Sequence, residues 1–476
     1  MITLFRVNSF IQIFSLLLVL LLLKVPFMMG GLPLLRPELE WMLLGERLDG
    51  GSSLYSGVWT DSGPLAAYVY SFIHALFGRN QLYYEMFALV LVYFQALYFT
   101  LIVNNNRLTL ERNYLPGLFY VLVMSLSFDL VKISPALMAL SFLLLALNSL
   151  FKQIENKEEG SEHVFEIGLH LGIGSLFWYS LPLFAIWALL SLLMFTPLKF
   201  KQFLLFILGF FLPQVVAVLF YYFKGTFTEY YAEWILKGMG LSPLEHLNFA
   251  IPATVFGFPI LLAVFGIFKV MGGTRYNNFQ NRKHQVLILS GIFGLVAYFF
   301  GNDNATYQML GMVPFLAFFS MGLFIHMKGA YGPELLFIGV LAVFICINAA
   351  GLNRLFGTGF NHLKELRVDQ ANVKTYVKNK RILVTGDVND DYLFAQSTTK
   401  YLNWQLSEKE LSSADTYEGL AAIHESFQEE LPEYIIDNAQ VFPEIFRRIP
   451  AMARVYDRVE GTRHYRLKEE AARPQP

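Results

Sequence analysis

Three carboxylates stand close together in a polar stretch framed by apolar sequence. Glu38 and Glu40 fall in Arg36-Pro37-Glu38-Leu39-Glu40, and Asp61 lies two residues before Gly63-Pro64. A carboxylate can act as a general base on a hydroxyl that lies within hydrogen-bond reach. Each of the three also has a plain structural reading. Glu38 follows Pro37 at a first helical turn, where an acid complements the helix dipole. Glu40 fits the solvated face of that helix, and Asp61 suits a turn. Cations able to meet a phosphate are as few. Lys24 sits inside an apolar run, towards its end, where an ionisable residue is a functional candidate unless it snorkels to the interface. Further on, Lys224, Lys237 and His246 accompany Tyr230, Tyr231 and Trp234. Such a basic-aromatic loop can bind a lipid phosphate or form an interfacial belt.

Several other chemistries are excluded. The nine histidines show no metal-ligand spacing, and the single cysteine, Cys346, allows neither an internal disulfide nor a thiolate metal site. No phosphate loop, dinucleotide fingerprint or nucleophile elbow occurs in its strand–turn–helix setting. Gly386-Asp387 is a lone turn. A net charge of −1 leaves no electrostatic footprint for nucleic acid.

The elements that must hold these residues are membrane helices. Of the 476 residues 55% are apolar and 15% charged, against about 25% charged in a soluble protein, and mean hydropathy is +0.46. The deficit of charge lies in the first 350 residues, where apolar runs long enough or nearly so to span a ~30 Å core follow one another. Lipid requires each run to satisfy its own backbone, which predicts helices. They are expected near 9–29, 82–103, 114–128, 135–151, 165–179, 182–197, 202–222, 250–270, 285–300, 305–326 and 332–349. The first resembles a signal peptide after Arg6, but the run continues to Met29 without a cleavage site and reads as an uncleaved helix.

Lys and Arg in short loops set the expected orientation. Arg6, Arg107, Arg112, Lys199, Lys201, Arg275, Arg282, Lys283 and Lys328 fall on one side, and the turn Gly301-Asn302-Asp303-Asn304 on the other. This puts the N-terminus in the cytoplasm and the C-terminal part outside, and the expected location is a bacterial inner membrane with the C-terminal domain in the periplasm. Residues 63–77 would reverse that pattern if they spanned, so they are expected along the outer surface, with a short spanning helix as the alternative. From about 350 the composition becomes that of a soluble domain. Strands are expected at Arg381 to Thr385, Glu433 to Ile436 and His464 to Leu467, with helical periodicity over Thr416 to Glu429. The expected fold class is therefore a polytopic α-helical membrane protein of about eleven spans. Residues 1–350 form the membrane domain, including the outer loop 30–81, and residues 351–476 form a small α/β domain.

The order of several features resembles the GT-C superfamily of membrane glycosyltransferases, which includes the protein O-mannosyltransferases and the lipid A aminoarabinose transferases. An acidic pair, Glu38-Leu39-Glu40, follows the first helix. Gly50-Gly51 and the aromatic Tyr55 come about ten residues later. Gly63-Pro64-Leu65 then leads a helix ending in Leu76-Phe77-Gly78. Near the C-terminus, Ile382 to Asp387 and Pro432 to Ile436 repeat the layout of outer domains in that superfamily, and a membrane family of Bacteroidota is the nearest likeness. The resemblance implies transfer of a sugar from a polyprenyl-phosphate carrier to a protein, glycan or lipid acceptor on the outer side. It implies Glu38 as base, with Glu40 beside it; Asp61, two residues before Gly63-Pro64, could orient an acceptor or a cation. Lys24, Tyr55, Lys224, Lys237 and His246 are the residues left to hold the substrate. No metal ligands are assigned, and only some members of the superfamily use a divalent cation.

The sequence also departs from that pattern. Ser134-Pro135 stands where many members have an acid before proline, with Asp129 five residues earlier. Glu85 stands where many have an arginine, and Phe177-Trp178-Tyr179 where many have a lysine. These losses keep open an inactive GT-C-like scaffold, a partner subunit in an envelope assembly. A transporter is a third class. It would show internal repeats and several charges deep in helices, and neither is seen.

Overall fold

Helices occupy each of the eleven apolar positions in the computed structural model, which describes residues 2–29, 31–155, 161–236, 250–272, 276–301, 305–325, 327, 329, 331–353, 366–413 and 416–469. The chain opens with α1 (Ile2–Arg6) and α2 (Ile11–Met29). The long loop that follows carries α3 (Arg36–Asp49) and α4 (Pro64–Phe77). Next come α5 (Gln81–Asn105), α6 (Leu115–Met124), α7 (Pro135–Glu155), α8 (Ser161–Ser175), α9 (Pro182–Phe195) and α10 (Phe200–Lys224). A turn, α11 (Phe227–Glu229), continues into a π-helix over Tyr230–Leu236. The apolar part closes with α12 (Ala250–Met271), α13 (Asn278–Tyr298), α14 (Val313–Ile325) and α15 (Tyr331–Asn353).

Among the described residues six stretches are long and apolar enough to cross a membrane: Gln81–Asn105, Pro135–Glu155, Phe200–Lys224, Pro252–Met271, Thr306–Ile325 and Tyr331–Ala350. Shorter apolar helices stand at Ile11–Val25, Pro64–Phe77, Leu115–Met124 and Pro182–Phe195. The third expected span is cut short because α6 ends at Met124 and the chain turns through a 3-10 helix, Phe128–Val131, before α7. Contacts divide the chain into two compact units. The first comprises Met1–Leu32, Leu82–Leu219 and Gly240–Glu365, and the second Pro33–Gln81, Phe220–Met239 and Leu366–Pro476.

Within the first unit the helices approach closely where side chains are small. A Cβ on Gly168 or Gly172 of α8 would come within 2.3 Å of the Phe206 or Phe210 carbonyl oxygen of α10, and one on Gly209 of α10 within 2.4 Å of that of Phe165. Lipid supplies no hydrophobic drive between helices, so contact through small residues carries their association. The unit has two distinct ends. At one, Tyr114 N–H donates to Phe5 O (2.8 Å), and Arg6 donates to the carbonyls of Phe324 and Met327. There too Gln280 reaches Arg107 O, Arg282 reaches Phe195 O, and Lys283 meets Asn106 O and Glu155. The loop before α6, the end of α9 and the start of α13 thus share one end.

The second unit is built on a five-stranded sheet of order β2-β1-β3-β5-β4. Its strands are β1 (Arg381–Thr385), β2 (Gln396–Ser397), β3 (Tyr434–Asp437), β4 (Tyr456–Arg458) and β5 (His464–Leu467). β2, β1 and β3 run parallel, and β5 and β4 are antiparallel to their neighbours. Helices α16 (Trp404–Ser412), α17 (Tyr417–Glu429), α18 (Phe442–Arg448) and α19 (Pro450–Val455) complete the small α/β domain. The loop carrying α3 and α4 packs into the same unit. Trp59 enters the domain's hydrophobic core with Leu383, Tyr401 and Phe427, its N–H donates to Lys400 O, and the Lys400 ammonium lies 4.5 Å from its ring. Arg36 pairs with Asp390 (3.0 Å), Arg47 with Glu430 (2.8 Å), and Arg79 donates to Ala395 O (2.7 Å). α4 lies against α3 through the stacked rings of Trp41 and Tyr70.

Candidate functional site

A lysine in an apolar helix has to find partners, because a charge stranded in a low-dielectric interior is costly. Lys24 of α2 is 3% exposed, and its one hydrogen bond among the described residues is a long one, 3.3 Å to the carbonyl of Ser127. Ser127 precedes the 3-10 helix that carries Asp129. The Asp129 carboxylate is fully buried and well satisfied. It accepts from the Ser127 hydroxyl, from Thr306 Oγ1 at 2.5 Å and from the Tyr307 N–H at 3.1 Å. Thr306 and Tyr307 open the 3-10 turn, Thr306–Met312, that feeds α14. Beside them Lys132 donates to Glu85 of α5 at 2.6 Å, with both side chains buried. The charges of Asp129, Lys132 and Glu85 all reach the Lys24 ammonium. Two cations and two carboxylates make the group formally neutral, yet the bonds are unevenly shared. Lys132 is held by Glu85 and Asp129 by neutral donors, which leaves Lys24 with a single carbonyl.

An apolar groove of 740 Å³ opens between α2 and α5. Leu20, Leu21 and Met28 line it from α2, and Leu82, Met86 and Leu89 from α5. On a helix, residues three and four apart share a face. The α2 lining residues are four and three before and four after Lys24, and Leu82 and Leu89 are three before and four after Glu85. Lys24 and Glu85 therefore lie beside the groove on its two helices, and neither is among the residues that line it. The cluster occupies the end of the first unit opposite the loop before α6 and the start of α13. It gathers the C-terminal part of α2, the N-terminal part of α5 and the approaches to α7 and α14, whereas Phe5, Asn106, Glu155 and Phe324 mark the other ends of the same succession of helices.

The other described candidates belong to the second unit. Glu38 is buried at the start of α3, where its carboxylate accepts from the Leu35 N–H at 3.5 Å. Glu40 accepts from the amides of Asn389 (2.9 Å) and Asn403 (3.1 Å), tying α3 to the sheet domain. Asp61 lies in the bend before α4 and is half-buried. Tyr55 has a φ of +68° and no exposed surface, and its hydroxyl donates to Ser62 O at 3.0 Å. Its ring packs among Tyr221, Tyr230 and Trp234, and burial holds its phenol well above the usual range. Lys224 is exposed at the end of α10. Lys237 and His246 lie outside the described residues. Among the described residues no three His, Cys, Asp or Glu side chains gather as a metal site.

Glu85, Asp129 and Lys132 are the members of the buried group that the reading of the sequence left out of its site. The signal was the one that singled out Lys24, an isolated charge within or between apolar runs. Their opposite signs could have suggested pairing.

No family model matches the sequence, and no curated protein matches it. Among solved structures, the chain is similar to ArnT from Cupriavidus metallidurans bound to undecaprenyl phosphate. Identity is 11% and the TM-score 0.47, over 75% of this chain and 66% of that one. It is also similar to the apo oligosaccharyltransferase of Archaeoglobus fulgidus, with 11% identity and a TM-score of 0.49 over 89% and 69% of the two chains. The same enzyme in complex with zinc and sulfate gives 10% identity and 0.46 over 93% and 71%. Both proteins are GT-C glycosyltransferases. The likeness is one of general backbone arrangement, and the chain spans about two thirds of the length of these structures.

Proposed function

We propose that this chain is a membrane glycosyltransferase that holds the phosphate of a polyprenyl-phosphate-linked sugar and passes the sugar to an acceptor. The observation that supports this most is the buried, under-bonded ammonium of Lys24 beside an apolar groove. A ligand with an anionic head and a long hydrocarbon tail satisfies both at once. Lys24 takes the phosphate oxygen as a charge-assisted partner, and the tail fills the space between α2 and α5. Basic residues at the opposite end, Arg6, Arg107, Arg282 and Lys283 among them, support reading the cluster end as the outer one by the positive-inside rule, in keeping with a bacterial inner membrane. In the transfer, the acceptor hydroxyl oxygen bonds to C1 of the sugar as the bond from C1 to the phosphate oxygen breaks. The electron pair leaves with the carrier phosphate, and the hydroxyl proton passes to a carboxylate, the role that the resemblance gives Glu38. The acceptor is a protein, glycan or lipid.

The scaffold reading draws on Glu40, whose two oxygens are occupied by Asn389 and Asn403. One experiment separates the two. The purified chain in nanodiscs is titrated with polyprenyl phosphate and with polyprenyl-phosphate mannose, and release of the sugar is followed. Lys24→Met is expected to weaken carrier binding by about tenfold or more, equivalent to about 1.4 kcal/mol. Glu38→Gln is expected to keep binding and lose transfer. Binding without transfer to any acceptor selects the scaffold. A wild-type chain that binds neither carrier overturns the proposal.

A further inference from the structure

Three ionisable residues of α8 share one flank. His163, Glu166 and His170 follow one another at three and four residues, which puts them on a single face of the helix. A different face meets α10, through Phe165, Gly168 and Gly172. Its neighbours α7 and α10 are both long and apolar enough to cross a membrane, and ionisable residues in such surroundings mark sites. The Glu166 carboxylate accepts from the Ser149 hydroxyl of α7 at 2.9 Å and lies 3.0 Å from His163 Nδ1. Both contacts fall on Oε2. Oε1 has none among the described residues, and the side chain is 34% exposed. One turn on, His170 is partly buried, and its Nδ1 is enclosed without a hydrogen-bond partner. The Glu166 charge reaches His170 and the Tyr98 phenol of α5. Lys152 stands three residues after Ser149 on α7, exposed, and no carboxylate pairs with it among the described residues. An open carboxylate oxygen and an open ammonium are thus left on adjoining helices.

The group lies at the end of the unit shared by the loop before α6 and the start of α13. Glu155, which closes α7, meets Lys283 there, and Asn148 accepts from Asn106 at 2.9 Å. At 1.5 Å per residue, Ser149 is about 9 Å from Glu155 along the helix. That sets the group near the boundary between lipid head groups and hydrocarbon. We propose that this face of α7 and α8 binds a phospholipid whose head group carries a primary ammonium, with Glu166 taking the ammonium and Lys152 the phosphate. The charges argue for that occupant. A zwitterionic head group presents an ammonium and a phosphate a few bonds apart, and each meets its opposite here. A primary ammonium has three donors, and Oε1 offers it a charge-assisted acceptor. A choline head group has the same charge but no N–H to donate, and a glycerol head group has no cation. Ser149 and His163 hold Oε2 and so aim the free oxygen. The site stands at the other end of the unit from Lys24 and does not depend on the carrier reading.

The test is which lipid stays with the protein. The purified full chain is equilibrated in nanodiscs of equal phosphatidylethanolamine, phosphatidylcholine and phosphatidylglycerol, and the lipids retained on release are counted by native mass spectrometry. Wild type is expected to retain phosphatidylethanolamine about tenfold over phosphatidylcholine. Glu166→Gln should bring the two within about twofold of each other. Glu162→Gln, which removes an exposed acid one turn earlier, should leave the wild-type ratio. Lys152→Met should lower retention of both lipids and keep their ratio. If Glu166→Gln does not fold, wild type is compared on head groups methylated stepwise from the primary to the quaternary ammonium. Retention should fall at the trimethylated one, and equal retention along the series overturns the proposal. A wild-type preference for phosphatidylglycerol, or a ratio that a folded Glu166→Gln leaves intact, overturns it as well. So does loss of a copurifying membrane protein from Glu166→Gln with no preference among lipids, which gives the face to a partner helix.

Discussion

Lys24 was legible as a candidate because a lone charge in an apolar run is conspicuous, but its companions were not. Glu85, Asp129 and Lys132 lie 61, 105 and 108 residues further along by their numbers. Only tertiary packing brings them together. Glu38 and Glu40 show the converse. The sequence offers Glu38 as a base or a helix acid and Glu40 as a base or part of a solvated face; the structure gives Glu38 a local bond to Leu35 N and joins Glu40 to Asn389 and Asn403 of the sheet domain. Titration at this scale can be predicted outside the bilayer. Burial pushes the Glu433 carboxyl up, but hydrogen bonds from Lys380 Nζ and the Arg381 N–H outweigh it and hold the group below its ordinary value. A depressed carboxyl contributes stability above its unfolded pKa of about 4.3 and loses it as pH falls through the folded value. In melting curves of the full chain between about pH 3 and 7, Glu433→Gln should lie below wild type at neutral pH and converge with it at the acid end. The gap should be small, since both partners are about a third or more exposed.

The eleven helices were readable at the scale of elements because lipid allows an apolar run little else. Strand β1 was also readable from Arg381 to Thr385, and β3 was found one residue later than expected. Strands β2 and β4 were not, since two or three residues carry no alternation to detect. The shortening of α6 and the 3-10 turn at Phe128–Val131 escaped notice for a related reason. Leu126, Phe128, Leu130 and Val131 keep apolar residues in the break, among Ser125, Ser127 and Asp129, and mask where the helix stops. Crossings between helices were not visible either, although glycine marks them afterwards. Gly172→Leu should force α8 from α10, at a cost of about 1–3 kcal/mol for overpacking. Gly257→Ala in α12 meets nothing within 4 Å and should be harmless. Thermal unfolding in one detergent compares the two, and equal melting temperatures would show that the α8–α10 crossing is not tight.

The whole molecule is organised against the order of its sequence. A boundary near 350 follows from composition, but contacts place residues 33–81 with 366–476. Composition cannot show this, because the loop is joined to the sheet domain by single side chains, Trp59, Arg36, Arg47 and Arg79, scattered among ordinary loop residues. A chain ending at residue 350 should therefore expose its first long loop. Trypsin is expected to cut such a chain after Arg47 and Arg79 and to spare both bonds in the full-length protein. Cleavage at equal rates in both would show that the C-terminal part gives the loop no protection.

The position of Trp59 in the core of the sheet domain sets a schedule for biosynthesis. From Gln81 to Leu366 the ribosome must add 285 further residues (366 − 81) before the domain that receives this indole begins to emerge. At about 5–20 residues per second that is roughly 15–60 s. During that interval the loop has left the ribosome with its tryptophan and three arginines unanchored. Maturation of this loop therefore waits on the residues from Leu366 onward, and a nascent chain stalled before them leaves its first long loop open to proteases and chaperones.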